Sequence, residues 1–143
     1  MKNHQWVLQF LCTNTDKAAK QVSALEHLIK SAPFKSYLQE LAQKYQALHQ
    51  TVQKHLSFSD SPSNGSDKSN HPPYMEFDSR SLGESDSDIA ELLMQHSVLG
   101  IVQIKKQVRV CQSLENFPPN IYNLLLELLD TEQFNLRCLQ AFL

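Results

Sequence analysis

From Val7 onward the side chains that avoid water recur every three or four positions. Val7, Leu11, Asn14, Ala18, Val22, Leu25, Ile29 and Ala32 share one line of a helix. Thr13-Asn14-Thr15-Asp16 crosses that line with side chains that compete for backbone hydrogen bonds. The phase of the stripe is unbroken on either side, so one continuous helix is predicted over residues 4–32. Pro33 has no N–H and disfavours helical geometry at the residue before it, which sets the expected stop at Ala32. Ser31 is placed to cap a second helix, with Pro33 inside its first turn.

The second stripe, Phe34, Leu38, Leu41, Tyr45, Leu48, Val52 and Leu56, predicts a helix over 33–57. So short a joint folds the two helices antiparallel. The period then stops. Residues 58–84 are rich in Ser, Asp, Asn and Pro and read as a flexible, solvated linker, with Tyr74-Met75-Glu76-Phe77 as a segment able to dock. A linker of this length can cross the whole bundle, which allows the second and third helices to run parallel.

Ser85 or Asp86 is expected to cap a third helix over 85–112, with Asp88 in its first turn. Ile89, Leu92, Leu93, Leu99, Ile101, Val102, Ile104 and Val108 make it apolar on more than one face. That breadth predicts either the most buried helix or one that also serves a dimer contact. Gly100 costs a helix interior about 1 kcal/mol relative to Ala and marks a close helix approach. Asn116-Phe117-Pro118-Pro119 forms a second tight joint, followed by a last helix over 119–143. Its inner stripe is Ile121, Leu125, Leu128, Glu132, Leu136, Leu139 and Phe142 or Leu143. The fold class is therefore all-α: one four-helix-bundle domain over residues 1–143, built from two antiparallel hairpins and a long crossover.

Composition sharpens this picture. Three glycines in 143 residues suit a few long helices rather than many turns or bulges. A net charge of −2 supplies no basic surface for a phosphate backbone, so nucleic acid is not expected as a partner. The start lacks a secretory pattern and no window approaches the ~20 apolar residues of a spanning helix. Cys12, Cys111 and Cys138 are odd in number and lack CxxC spacing. A cytoplasmic protein with reduced, packed cysteines and no membrane insertion is the expectation.

The connection order short, long, short resembles the ferritin-like four-helix bundle. The first hairpin carries the closer likeness. Leu11, Asn14 and Asp16, then Ala18-Ala19, Ala24-Leu25-Glu26, the joint, and Phe34-Lys35-Ser36-Tyr37-Leu38-Gln39-Glu40-Leu41-Ala42 resemble uncharacterised bacterial ferritin-like proteins over residues 6–56. What the resemblance implies is a small cytosolic bundle, often associated with stress or envelope physiology and frequently without a demonstrated reaction.

Iron chemistry in such a bundle needs a Glu from each of two helices and a Glu-x-x-His pair from each of the others, since positions i and i+3 reach one metal pair. This sequence has no Glu-x-x-His. Gln46-x-x-His49 and Glu132-x-x-Asn135 each carry an amide where a strong ligand belongs. The candidate metal ligands are Glu26, His49, His96 and Glu132, and iron, manganese or zinc is the alternative to an expected absence of cofactor. Glu132 sits at the seam phase between Leu128 and Leu136, where a carboxylate must be paired or protonated. A structural hydrogen bond to Asn14, His49 or His96 is the plainer reading. No phosphate loop, nucleophile elbow or zinc-protease pattern occurs, so no catalytic or cofactor-binding residue is assigned. The chain is expected to be no enzyme but a structural or interaction module, a homodimer through its third helix or bound to another protein.

Overall fold

A computed structural model describes residues 4–58 and 85–143 of the chain. They form an all-α four-helix bundle: α1 (Gln5–Glu26), α2 (Ala32–Phe58), α3 (Asp86–Gln112) and α4 (Pro119–Leu139), with a closing 3-10 turn at Gln140–Phe142. The predicted linker, Phe58 apart, and the docking segment Tyr74–Phe77 lie outside the described residues.

Helix α1 runs unbroken through Thr13-Asn14-Thr15-Asp16 because Asn14 and Thr15 turn their polar atoms back on their own helix. Asn14 Nδ2 donates to the Phe10 carbonyl at 2.9 Å and Thr15 Oγ1 to the Leu11 carbonyl at 2.7 Å. It ends at Glu26, six residues before the expected residue 32. Leu28 N–H and Ile29 N–H bond three residues back, to Leu25 and Glu26, which tightens the last turn. The next two amides leave the helix altogether. Lys30 N–H and Ser31 N–H donate to the two carboxylate oxygens of Asp86, at 2.9 and 2.8 Å. A grip from 55 positions downstream is invisible to the spacing of a local stripe.

Ser31 caps α2 as expected, its Oγ accepting from Phe34 N–H at 3.4 Å and its carbonyl from Lys35 N–H at 2.9 Å. At α3 the cap is Ser85, whose Oγ accepts from Asp88 N–H at 3.0 Å, and Asp86 is thereby left to hold the first joint. The second joint turns at Asn116, with φ of 59°, a left-handed conformation that asparagine tolerates. Helix α4 stops at Leu139 instead of residue 143, and the 3-10 turn lays Phe142 flat on Phe34, with centroids 4.4 Å apart.

These contacts fix the helix directions. The start of α3 lies at the α1–α2 joint, so α2 and α3 begin at the same end of the bundle and run parallel. Along α2 the contacts step from Phe34 to Tyr37 to Tyr45, while their partners on the last element step from Phe142 to Asn135 to Glu132. Helices α2 and α4 are therefore antiparallel.

The expected α1 stripe is buried from Val7 to Ile29, with Ala32 exposed, and the α2 stripe from Phe34 to Val52. Helix α3 is apolar on more than one face, and only one of those faces is buried. Its buried line is Ile89, Leu93, Ser97, Gly100, Ile104, Gln107 and Cys111. Val98, Leu99, Val102 and Val110 stand 44–51% exposed on the outside. Between Leu93 and Ile104 a serine and a glycine face the core while Val98, Leu99 and Val102 face away.

Candidate functional site: a polar chain through the core

Glu132 is fully buried on α4. Its Oε2 accepts from the Tyr45 hydroxyl of α2 at 2.5 Å and its Oε1 from the Ser97 hydroxyl of α3 at 2.7 Å. Such lengths are those of hydroxyls donating to a carboxylate. Ser97 Oγ, having spent its one proton, accepts from Asn135 Nδ2 at 2.8 Å. Asn135 Oδ1 in turn accepts from the Tyr37 hydroxyl at 2.5 Å. Every donor in this chain points toward Glu132, from Tyr37 through Asn135 and Ser97 on one arm and from Tyr45 on the other. Three helices meet in it.

The local sequence explains why these groups converge. Glu132 and Asn135 are three apart on α4, so both face α2 and α3. Tyr37 and Tyr45 lie two turns apart on α2, and their long phenols reach across to α4. Ser97 is short, and with Gly100 one turn on, α3 lies close enough for its hydroxyl to reach the carboxyl. Burial raises the pKa of Tyr37 above the usual phenol range, reinforced by Cys138 and by the carboxylates of Glu132 and Glu40, so its hydroxyl stays a donor.

A smaller polar cluster ties α1 to α2. Thr15 Oγ1 lies 3.0 Å from His49 Nδ1, and Cys12 Sγ lies 4.0 Å from the same nitrogen. The Thr15 proton goes to the Leu11 carbonyl, which can only accept, so the lone pair of Oγ1 is what meets His49 and the ring carries its proton on Nδ1. The half-buried ring edges a groove of about 410 Å³ between α1 and α2, with Asp16, Lys20 and Gln46 among its walls. Burial, with the Asp16 carboxylate adding to it, raises the Cys12 thiol above its ordinary value, which keeps it protonated and a poor nucleophile. All three cysteines are free thiols.

Of the four candidate ligands, Glu26 lies outside the polar chain of the core. Glu26, the last residue of α1, accepts from Gln39 Nε2 at 2.6 Å on the exposed side of the joint. Gln39 precedes Tyr45 by six positions, about 9 Å along the helix. His49 faces Thr15 of α1, Glu132 faces Tyr45 and Ser97, and His96 is buried beside Ser97 on α3. Among the described residues no three His, Cys, Asp or Glu side chains gather to hold a metal ion. Tyr45 and Ser97 are hydrogen-bond partners of Glu132 that the expected set of Asn14, His49 and His96 did not contain.

Sequence reasoning passed over Ser97 entirely and took Tyr45 as one more apolar position. The signal was there in part: Ser97 and Gly100 continue the spacing from Leu93 to Ile104. Among the described residues no helix is long and apolar enough to cross a membrane. No protein-family model, curated protein or solved structure matches the chain.

Proposed function

We propose that this chain is a non-enzymatic, ferritin-like helical bundle that acts as a structural or protein-interaction module inside the cell. The observation that carries the reading is the reversal on α3, where Val98, Leu99 and Val102 stand outside while Ser97 and Gly100 face the core. A lone exposed apolar side chain is ordinary, but a cluster on one helix face marks a contact surface. The core supports the same reading. Both oxygens of Glu132 accept hydroxyl protons from neighbouring helices, the arrangement of a strut rather than of a group that meets substrate. A single crossover joining two hairpins with α2 and α3 parallel is the connection pattern of the ferritin-like class. The metal-binding or redox alternative has less support, since among the described residues no three of its candidates Glu26, His49, His96 and Glu132 gather.

Cross-linking inside the native cells, followed by size fractionation of their extract, tests the reading, because it also holds a weak complex together. The wild-type chain is expected to elute well above its 16.4 kDa, and Val98→Asp/Val102→Asp at the monomer position with an unchanged thermal melt. Elution of both at 16.4 kDa would overturn it. Metal analysis of untagged protein tests the alternative: stoichiometric iron, manganese or zinc that disappears in Glu132→Ala would favour a metal centre.

A further inference from the structure

The face of α3 that turns away from the core is ordered by charge along its length. Asp88 and Glu91 lie at its N-terminal end, Val98, Leu99 and Val102 at its centre, and Lys106 and Arg109 at its C-terminal end, all exposed. Spacings of three, four and seven keep Asp88, Glu91, Val98, Val102, Lys106 and Arg109 on one side of the helix, with Leu99 at its edge. Within the described residues none of the four charged side chains makes an ion pair. Acids at the start and bases at the end also suit the helix dipole, but that explains nothing about the apolar centre between them.

We infer that this face pairs with the same face of a second copy, the two α3 helices lying antiparallel about a two-fold axis between Val98 and Leu99. The inference rests on the interaction reading above and supplies its partner. With the axis there, Val98 meets the partner's Leu99, Glu91 meets the partner's Lys106, and Asp88 meets the partner's Arg109. A parallel pairing would set Glu91 against Glu91 and Lys106 against Lys106, so the charges select the antiparallel arrangement. Two-fold symmetry makes every contact twice, which doubles the effect of any single substitution. From Asp88 to Arg109 the strip is ~32 Å long and one helix wide, smaller than the interfaces of permanent dimers. The dimer is therefore a weak one, in the micromolar range and loosened by salt.

Sedimentation equilibrium on the untagged full chain, from ~1 to ~300 μM at low ionic strength, brackets association of this strength. The mass is expected to rise from 16.4 kDa toward twice that value. Glu91→Lys alone and Lys106→Glu alone are each expected to weaken the dimer about tenfold, by repulsion at both symmetric sites. Glu91→Lys/Lys106→Glu together restore it, because the swapped charges face each other across the axis. All three variants change exposed side chains, and far-UV circular dichroism confirms that they stay helical. A wild-type monomer at the top concentration overturns the inference. So does a double variant as weak as the singles. If the purified chain is monomeric but its complex in extract still collapses in Val98→Asp/Val102→Asp, the self-pairing is refuted while the interaction module stands.

Discussion

The two hairpins of this bundle solve the same packing problem with different materials. In α1–α2 the interior is a row of large apolar side chains, Leu11, Val22, Phe34, Leu38 and Val52 among them, and the donors that α1 buries at Asn14 and Thr15 go to its own backbone carbonyls. In α3–α4 the interior holds Ser97, Gly100, Gln107, Glu132 and Asn135 at positions where the first hairpin places leucines. The first hairpin is held by area, at roughly 25 cal/mol per Å² of apolar surface removed from water. The second depends on finding the right partners, because each buried polar atom left without one costs ~1–3 kcal/mol. One hairpin carries a forgiving core and the other a demanding one.

The largest test of that contrast is Glu132→Ala. It leaves the Tyr45 and Ser97 hydroxyls facing a cavity and is expected to cost about 3–5 kcal/mol in urea unfolding. Should that variant fail to fold, Tyr45→Phe removes one donor and is expected to cost about 1.5–3 kcal/mol. A midpoint equal to wild type in either case would mean that the polar chain contributes nothing. Asp86→Ala acts on the contact between the hairpins. Freeing the Lys30 and Ser31 amides is expected to cost about 1–2 kcal/mol. Hydrogen exchange should quicken at those two amides before any others, and uniform quickening would assign Asp86 a different role.

Gln107 sharpens the comparison in the opposite direction. Its Oε1 is buried without a hydrogen-bond partner. Gln107→Met keeps the volume, removes that acceptor and is expected to gain about 1 kcal/mol. A loss of stability would show that the amide is bonded in solution. The smallest effect belongs to Cys111. Burial pushes its thiol from an ordinary 9.0 up to about 11. The folded chain therefore keeps a proton that the unfolded chain gives up between those values, so its stabilising share is complete below pH 9 and lost by about pH 11. Cys111→Ala is expected to flatten that part of the alkaline stability profile, and an unchanged slope would assign the decline to other groups.

The same contrast decided what could be read from the residues alone. Period and phase placed all four helices, because a leucine or valine recurring at every third or fourth position fits the buried face of a helix and little else. The end of α1 was not legible, since Asp86 ends it from the far side of the linker. On α3 the sequence showed apolar residues on several faces but not which face was inside. Leu99 and Val102 are as apolar as Leu93 and Ile104, and only the phenols of α2 and the carboxyl of α4 account for a serine and a glycine turning inward between them. Glu132 stood out because a carboxylate in a leucine seam must find a partner or a proton. Its partners did not, because serine and tyrosine are unremarkable wherever they fall.

A seam of leucines is smooth. One helix can slip along another by a turn, ~5.4 Å, and still find an apolar neighbour. Sliding α4 by a turn against α2 would set Glu132 against Leu41 or Leu48 in place of Tyr45 and strand a carboxyl in hydrocarbon. The two tyrosines, the serine and the asparagine therefore work as index marks: they select one alignment of the helices from several that bury similar area. A version of this core rebuilt in leucine and phenylalanine could melt at a higher temperature and yet have lost its single address.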